Sequence, residues 1–170
     1  QPQYQWISEQ QMGKSDIGVI TKARTNQLEE MGPTEEDVVK SLCNSIPVSG
    51  VLVTAEQKHK NIIKKVTYDN NSDFILSDEN SLSNEYINNF NYIEHPQNIA
   101  IALDVCEKLG VDRDTAIGGM HQVQPDLGAL IVWKLIGQKG SLQFVNGMAA
   151  NDPVSTLQIW KFVIDRYPTK

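Results

Sequence analysis

Three stretches of this chain carry side chains whose types and spacing could do chemistry. Gly13-Lys14-Ser15 has the closing letters of the phosphate-cradling loop GxxxxGK[ST]. That loop needs glycine where this chain has Ser8, and it must follow a strand and open a helix so that backbone N–H groups converge on phosphate. Here the triplet precedes a strand, so it is not read as a nucleotide loop. Lys22-Ala23-Arg24-Thr25-Asn26-Gln27-Leu28-Glu29-Glu30-Met31-Gly32 begins beyond the carboxyl end of a strand, where open α/β sheets bind ligands. Its polar density exceeds what a connector needs, and it is a candidate binding loop. Asn146-Gly147-Met148-Ala149-Ala150-Asn151-Asp152-Pro153 is a second polar loop between strand and helix. Asn151 or Asp152 either caps that helix or faces a ligand.

The remaining reactive residue types read as structural. His59, His95 and His121 include no pair at the spacing of two metal ligands on one helix face. Lys58, Lys60, Lys64 and Lys65 form a basic cluster, read as a solvated helix face, with an anion-attracting patch as the alternative. Cys43 and Cys106 lack any CxxC or Cys/His spacing and fall on apolar helix stripes. They are read as reduced core residues, in keeping with a cytosolic setting.

The elements that must hold these loops alternate in type. Asp16-Ile17-Gly18-Val19-Ile20-Thr21 reads as a short buried strand, Gly50-Val51-Leu52-Val53-Thr54 as a strand rich in β-branched residues, and Asp73-Phe74-Ile75-Leu76-Ser77 as a third strand. Thr34 is a candidate N-cap, with Glu35, Glu36 and Asp37 placing negative charge on the first turn. Val38, Val39, Leu42, Cys43 and Ile46 make the apolar stripe of that helix. Further helices are expected at about 57–68, 85–89, 97–109 and 112–120. In the 97–109 helix, Ile99, Ala102, Leu103, Cys106 and Leu109 form the expected buried stripe, and Gly110 supplies the stop. Two strands, 129–136 and 141–147, surround a Gly-bounded turn, and a last helix runs from Pro153 to about Arg166. Strand and helix alternation predicts an α/β fold with a largely parallel sheet flanked by helices. A change of register near 137–152 is the best candidate domain boundary.

Composition removes several classes. At 170 residues the chain can bury a core without a disulfide or metal staple. Its net charge of −6 makes it a poor binder of nucleic acid. The longest apolar runs fall well short of the ~20 residues that span a bilayer. The first residue is Gln, so the chain is expected to be processed or to be a piece of something longer. Leu157, Ile159, Trp160, Phe162, Val163 and Ile164 make the last helix apolar on more than one face. Either a partner covers that surface or strands that pack on it lie elsewhere.

Four matched stretches together carry a resemblance. They are Gly18-Val19-Ile20 with Leu28-Glu29-Glu30-Met31-Gly32-Pro33-Thr34; Pro96-Gln97-Asn98 with Ala100 and Ala102-Leu103; Pro125-Asp126-Leu127-Gly128-Ala129; and Phe144-Val145-Asn146-Gly147-Met148-Ala149-Ala150-Asn151-Asp152-Pro153 with Ser155-Thr156. In this order they resemble the poly-γ-glutamate synthase ATPase subunit family, CapB or PgsB, of the Mur-ligase superfamily. The resemblance implies an ATP-dependent amide ligase that joins glutamate through side-chain carboxylates by way of an acyl phosphate, with ATP and Mg²⁺ as cofactors. It implies that residues 1–139 are the back part of a Mur-ligase-like central ATPase domain and 140–170 the start of a C-terminal ligase domain. The family's P-loop would lie upstream of residue 1.

By the same resemblance, Asn98 matches an adenine-contacting asparagine, and Asn151 and Asp152 match a loop bordering the nucleotide. The metal site falls on Gln27 and Glu29. Where the family carries Asp-His, this chain has Asn26-Gln27, and Lys22 stands at a family asparagine. The departure means a lost site, an altered one, or weak metal binding. No catalytic residue is named. The implied partners are glutamate, the growing polymer and small membrane subunits at the inner face of the cell membrane, with self-association through the last helix as a further contact. The rival expectation is a non-catalytic scaffold module on a degenerate ligase fold.

Overall fold

The computed structural model describes residues 4, 6–23, 31–90, 92–126, 129–138, 140–148, 150 and 153–167, with the side chain of residue 154 excepted. The chain falls into two compact units. One comprises 1–84 and 95–117, and the other 85–94 and 118–170.

The first unit is built on a parallel sheet of β1 (Ile17–Ile20), β2 (Val51–Thr54) and β3 (Asp73–Leu76), in that order. Ile17 pairs with Val51, and Val51 with Asp73. The middle strand is covered on both faces, which is why Val51-Leu52-Val53 is an unbroken apolar run rather than an alternation; β1, expected to be buried, is an edge strand whose Val19 is 45% exposed. On one face Ile20 and Leu52 meet Val39 and Cys43 from α1 (Glu35–Leu42) and the turn after it, and Ile63 from α2 (Lys60–Asp69). On the other face Val53 meets Ile101 of α4 (Pro96–Lys108). Crossovers of one hand between strands in sequential order bring α1 and α2 to the same face, as found.

Local signals set the ends of these elements. Thr34 Oγ1 accepts from the Asp37 N–H at 3.2 Å, and Asp37 Oδ2 accepts from the Thr34 N–H at 3.2 Å, closing a capping box on α1. Gly110, at φ +80°, ends α4. Its N–H donates to the Glu107 carbonyl, and that of Val111 to the Cys106 carbonyl, the Schellman pattern. The amino-terminal edge of the sheet is stitched by Ser72, whose Oγ accepts from the Gly50 N–H at 3.0 Å and donates to the Pro47 carbonyl at 2.8 Å. A Cβ on Gly50 would lie 2.4 Å from the Asp16 carbonyl oxygen, so only glycine fits there.

The expected stripe of α4 is corrected in one respect. Ile99, Ala100, Ile101 and Leu103 are buried, whereas Ala102 and Cys106 are half-buried and Leu109 is exposed. Leu109 is the residue that caps the helix end, past its last buried turn. Residues 99–103 are apolar throughout, and all of them but Ala102 are buried.

Both cysteines are free, as expected. Cys43 is fully in the core, and burial pushes its thiol from about 9 up to about 11. A thiol pKa raised by folding favours the protonated form, so its stabilising contribution is complete below pH 9 and is lost as pH rises through about 11. The urea midpoint should therefore fall between pH 8.5 and 10.5 by more in the parent than in Cys43→Ala. Equal falls in the two would contradict this.

In the second unit, β4 (Ile131–Gly137) and β5 (Gly140–Asn146) form an antiparallel hairpin with Trp133 opposite Phe144. The boundary expected at 139/140 lies in the chain between β4 and β5. Ile93 and Leu130 form an isolated bridge. Phe90 stacks edge-on against Tyr92 and His121, at 5.4 and 4.7 Å between ring centroids. The last helix, α6 (Pro153–Arg166), starts at its proline as expected and exposes Leu157, Trp160 and Ile164. Two further helices, α3 (Asn84–Asn88) and α5 (Arg113–Gln122), lie near the expected positions. Among the described residues no helix is long and apolar enough to cross a membrane.

Candidate polar rim at the carboxyl ends of the parallel strands

The three parallel strands point their carboxyl ends at one edge, and most of the residues just beyond them are polar. Beyond β1 come Thr21 and the exposed Lys22, then buried Ala23. Beyond β2 come Ala55 and Glu56, and beyond β3 come Ser77 and Asp78. A rim of this kind is where open α/β sheets take ligands.

Glu56 is the feature of the rim that sequence reasoning missed. Its side chain is 2% exposed. Burying a carboxylate costs several kcal/mol unless it is well hydrogen-bonded, and here three backbone donors meet it. Oε2 accepts from the Ala23 N–H at 3.0 Å. Oε1 accepts from the Lys58 N–H at 2.8 Å and the His59 N–H at 3.2 Å. The Glu56 N–H in turn donates to Oγ1 of fully buried Thr54 at 3.1 Å. With its oxygens occupied and water excluded, Glu56 is an anchor rather than a base. The sequence carried no signal for it: a glutamate two residues beyond β2 says nothing of the N–H groups that converge on it.

The rim extends outward from that anchor. Lys58 Nζ donates to Glu35, in the first turn of α1, and this ammonium holds the Glu35 carboxyl below its ordinary value. His59 Nε2 lies 3.4 Å from Glu35 Oε1. At the end of β3 the Ser77 N–H donates to the Thr54 carbonyl at 2.8 Å, while its buried Oγ has no hydrogen-bond partner among the described residues. Asp78 Oδ1 accepts from the Asn80 N–H and caps a single 3-10 turn, Glu79–Ser81. Gln97, in the first turn of α4, donates to Glu79 Oε1 at 3.3 Å.

Of the residues expected to serve the site, Asn98 is exposed in the first turn of α4, next to Gln97, and Lys22 is exposed beyond β1. Asn26, Gln27, Glu29, Asn151 and Asp152 lie outside the described residues. The Gly13-Lys14-Ser15 triplet follows from the π-helix Ile7–Gly13 and leads into β1 rather than into a helix, so it does not cradle phosphate as a P-loop does. His121 Nε2 contacts the Tyr86 carbonyl at 2.8 Å, in keeping with a structural role. Among the described residues no group of three or more His, Cys, Asp or Glu is placed to hold a metal ion.

Comparison with known proteins gives this geometry a context. Residues 132–170, from the second residue of β4 to the chain end, match the family described as "Poly-gamma-glutamate synthase CapB C-terminal domain". The chain is 39% identical over 165 residues to "Capsule biosynthesis protein CapB" of Bacillus anthracis, an alignment covering 97% of this chain and 36% of that protein. It is 36% identical over 169 residues to "PGA synthase CapB" of Bacillus subtilis (strain 168), covering 99% of this chain and 43% of that protein. The chain thus spans well under half the length of these curated relatives. No solved structure shows significant similarity. Across nearly its whole length this chain is a homologue of the CapB proteins.

Proposed function

We propose that the protein carrying this chain takes part in poly-γ-glutamate synthesis as an ATP-dependent amide ligase. The observation that carries the reading is collinear similarity to two CapB proteins over 97% and 99% of the chain. A polar rim at the carboxyl ends of a parallel sheet supports it.

In this reading a glutamate carboxylate oxygen attacks the terminal phosphorus of ATP. The bond to ADP breaks and an acyl phosphate forms. An amine nitrogen then attacks the carbonyl carbon, inorganic phosphate leaves with the electron pair of the C–O bond, and the amine proton passes to solvent. Such chemistry depends chiefly on positioning and charge stabilisation. Asn98 contacts the adenine, and Asn151 and Asp152 border the nucleotide. The donor set assigned to Mg²⁺ fits that ion poorly. Glu29 is its one carboxylate, Asn26 and Gln27 offer only amide oxygens, and Lys22 adds a positive charge. No step is routed through the metal. The protein would work at the cytoplasmic face of the membrane with small membrane subunits, on glutamate and the growing polymer.

The reading is tested by grafting the chain in place of the matching stretch of the Bacillus subtilis protein and measuring polymer made in vitro. Polymer above that of a matched null supports it; a folded graft that makes none contradicts it.

The exposure of Leu157, Trp160 and Ile164 favours a second reading, in which α6 mediates self-association. Sedimentation equilibrium should then show concentration-dependent association that disappears in Trp160→Ser. A monomer at every concentration would sink it.

A further inference from the structure

We propose that self-association joins two copies of this chain along the outer edge of β5, in antiparallel pairing about a two-fold axis at Gln143. The inference rests on the self-association reading above and names a second element of that contact. The two elements are neighbours: Gly147, just past β5, lies beside α6, and a Cβ on it would be 4.0 Å from Ile159 Cγ2.

β4 and β5 form a two-stranded sheet, and two strands by themselves hold together only marginally in water. The outer edge of β4 is guarded. The Ile93 N–H donates to the Leu130 carbonyl at 2.8 Å just before the strand, and Lys134 places a charge on it. The outer edge of β5 has no such guard. Gly140–Asn146 carries no charged residue and no proline, and its register with β4 runs without a bulge. Among the described residues no strand pairs with that edge. An edge left this way is a template for another strand.

The register says which groups face outward. Gly137 stands opposite Gly140, three positions on, as at the two ends of a β-turn, so their backbone groups pair with each other. Hydrogen-bonded pairs alternate from there, and Leu142 and Phe144 also spend their backbone groups on β4. Ser141, Gln143 and Val145 turn theirs outward. One antiparallel register of two β5 strands uses all three on each side. It sets Gln143 opposite its own copy and Ser141 opposite Val145.

In that register Leu142 of one copy faces Phe144 of the other in a non-hydrogen-bonded pair, where side chains come closest. Both are more than half exposed, on the same face as exposed Trp133 and Leu135 across the hairpin. The joined sheet has four strands with eight apolar side chains on that face. Charge does not oppose the pairing. Lys134 stands opposite Gln143 in each hairpin, so the two lysines are three strand spacings apart, ~14 Å, beyond the ~8 Å Debye length at physiological salt.

The experiment uses the protein that carries this chain, as parent, Trp160→Ser, Q143K and Q143E. Sedimentation equilibrium is read beside backbone hydrogen exchange at low and high protein concentration. In Q143K two ammonium groups meet at the axis with Lys134 next to each, so the association constant should fall about tenfold or more. Mixing Q143K with Q143E should restore it to about the parent value. In the parent, raising the concentration should give Ser141, Gln143 and Val145 about tenfold more added protection than Leu142 and Phe144. That alternation decides the matter even where Q143K does not fold. Unchanged association in folded Q143K, a mixture as weak as Q143K alone, or protection without alternation would each overturn the proposal. Association lost in Trp160→Ser but kept in Q143K would leave the α6 reading standing without this contact. A parent that is a monomer at every concentration would remove both, and protected outer amides in that monomer would show the protein's own chain on the edge.

Discussion

Lys22→Asn, Asn26→Asp and Gln27→His, made together, should raise Mg²⁺-dependent ATP affinity at least tenfold. The expectation follows from donor chemistry. Mg²⁺ prefers carboxylate oxygens and is held through one or two of them. The native loop offers Glu29 as its sole carboxylate at the matched positions, with two amide oxygens beside it and the exposed ammonium of Lys22 nearby in sequence. The substitutions add a carboxylate and an imidazole and remove a like charge. Each change acts in the same direction, and changes in metal support of this kind move affinity by about ten- to a hundredfold. Calorimetric titration with ATP at fixed Mg²⁺, parent beside triple variant, measures it directly. Equal affinities would mean that these positions do not serve a metal in this protein. A gain that persists without Mg²⁺ would mean that the removed charge, rather than the metal, was responsible.

Leu52→Ala should be among the most damaging single substitutions to stability. Leu52 lies in the middle strand of the parallel sheet, paired to β1 on one side and β3 on the other, and is fully buried. It packs in the cluster that joins Ile20 to Val39, Ile46 and Ile63. A cavity there is fenced by backbone ladders on both sides and can collapse little, so the loss should be about 3–5 kcal/mol. That is a large part of the ~5–15 kcal/mol that holds a typical domain. Val48→Ala, at an exposed position in the loop before the same strand, should stay within about 0.5 kcal/mol. Urea unfolding of the two variants tests the contrast. A loss below about 1 kcal/mol for Leu52→Ala would show that this sheet is not the stability core.

The parallel sheet was legible because its signals are local. Val51-Leu52-Val53 is apolar without alternation, which a strand covered on both faces requires. Thr34 with Asp37, and Gly110, fix helix ends through contacts within a few residues. The buried side of α4 was less legible. Leu109 continues the helical period but lies at the cap, where the layer beneath has ended, whereas Ile101 is off the expected stripe yet meets Val53. Glu56 could not be read at all as a buried group. Nothing in Thr54-Ala55-Glu56-Gln57 says that N–H groups of residues 23, 58 and 59 converge on one carboxylate, because that convergence is a property of the folded strand ends. The site residues themselves came from resemblance rather than from periodicity or charge, and of those only Asn98 and Lys22 fall among the described residues.

The claim that this chain serves an amide ligase working through an acyl phosphate is tested most directly by trapping that intermediate. The graft into the Bacillus subtilis protein, with and without the three loop substitutions, is incubated with glutamate, ATP, Mg²⁺ and hydroxylamine. The account predicts γ-glutamyl hydroxamate that requires both ATP and glutamate, and that rises at least tenfold when the loop is restored. No hydroxamate from either folded graft, under conditions where the unaltered Bacillus subtilis protein forms it, would contradict the account.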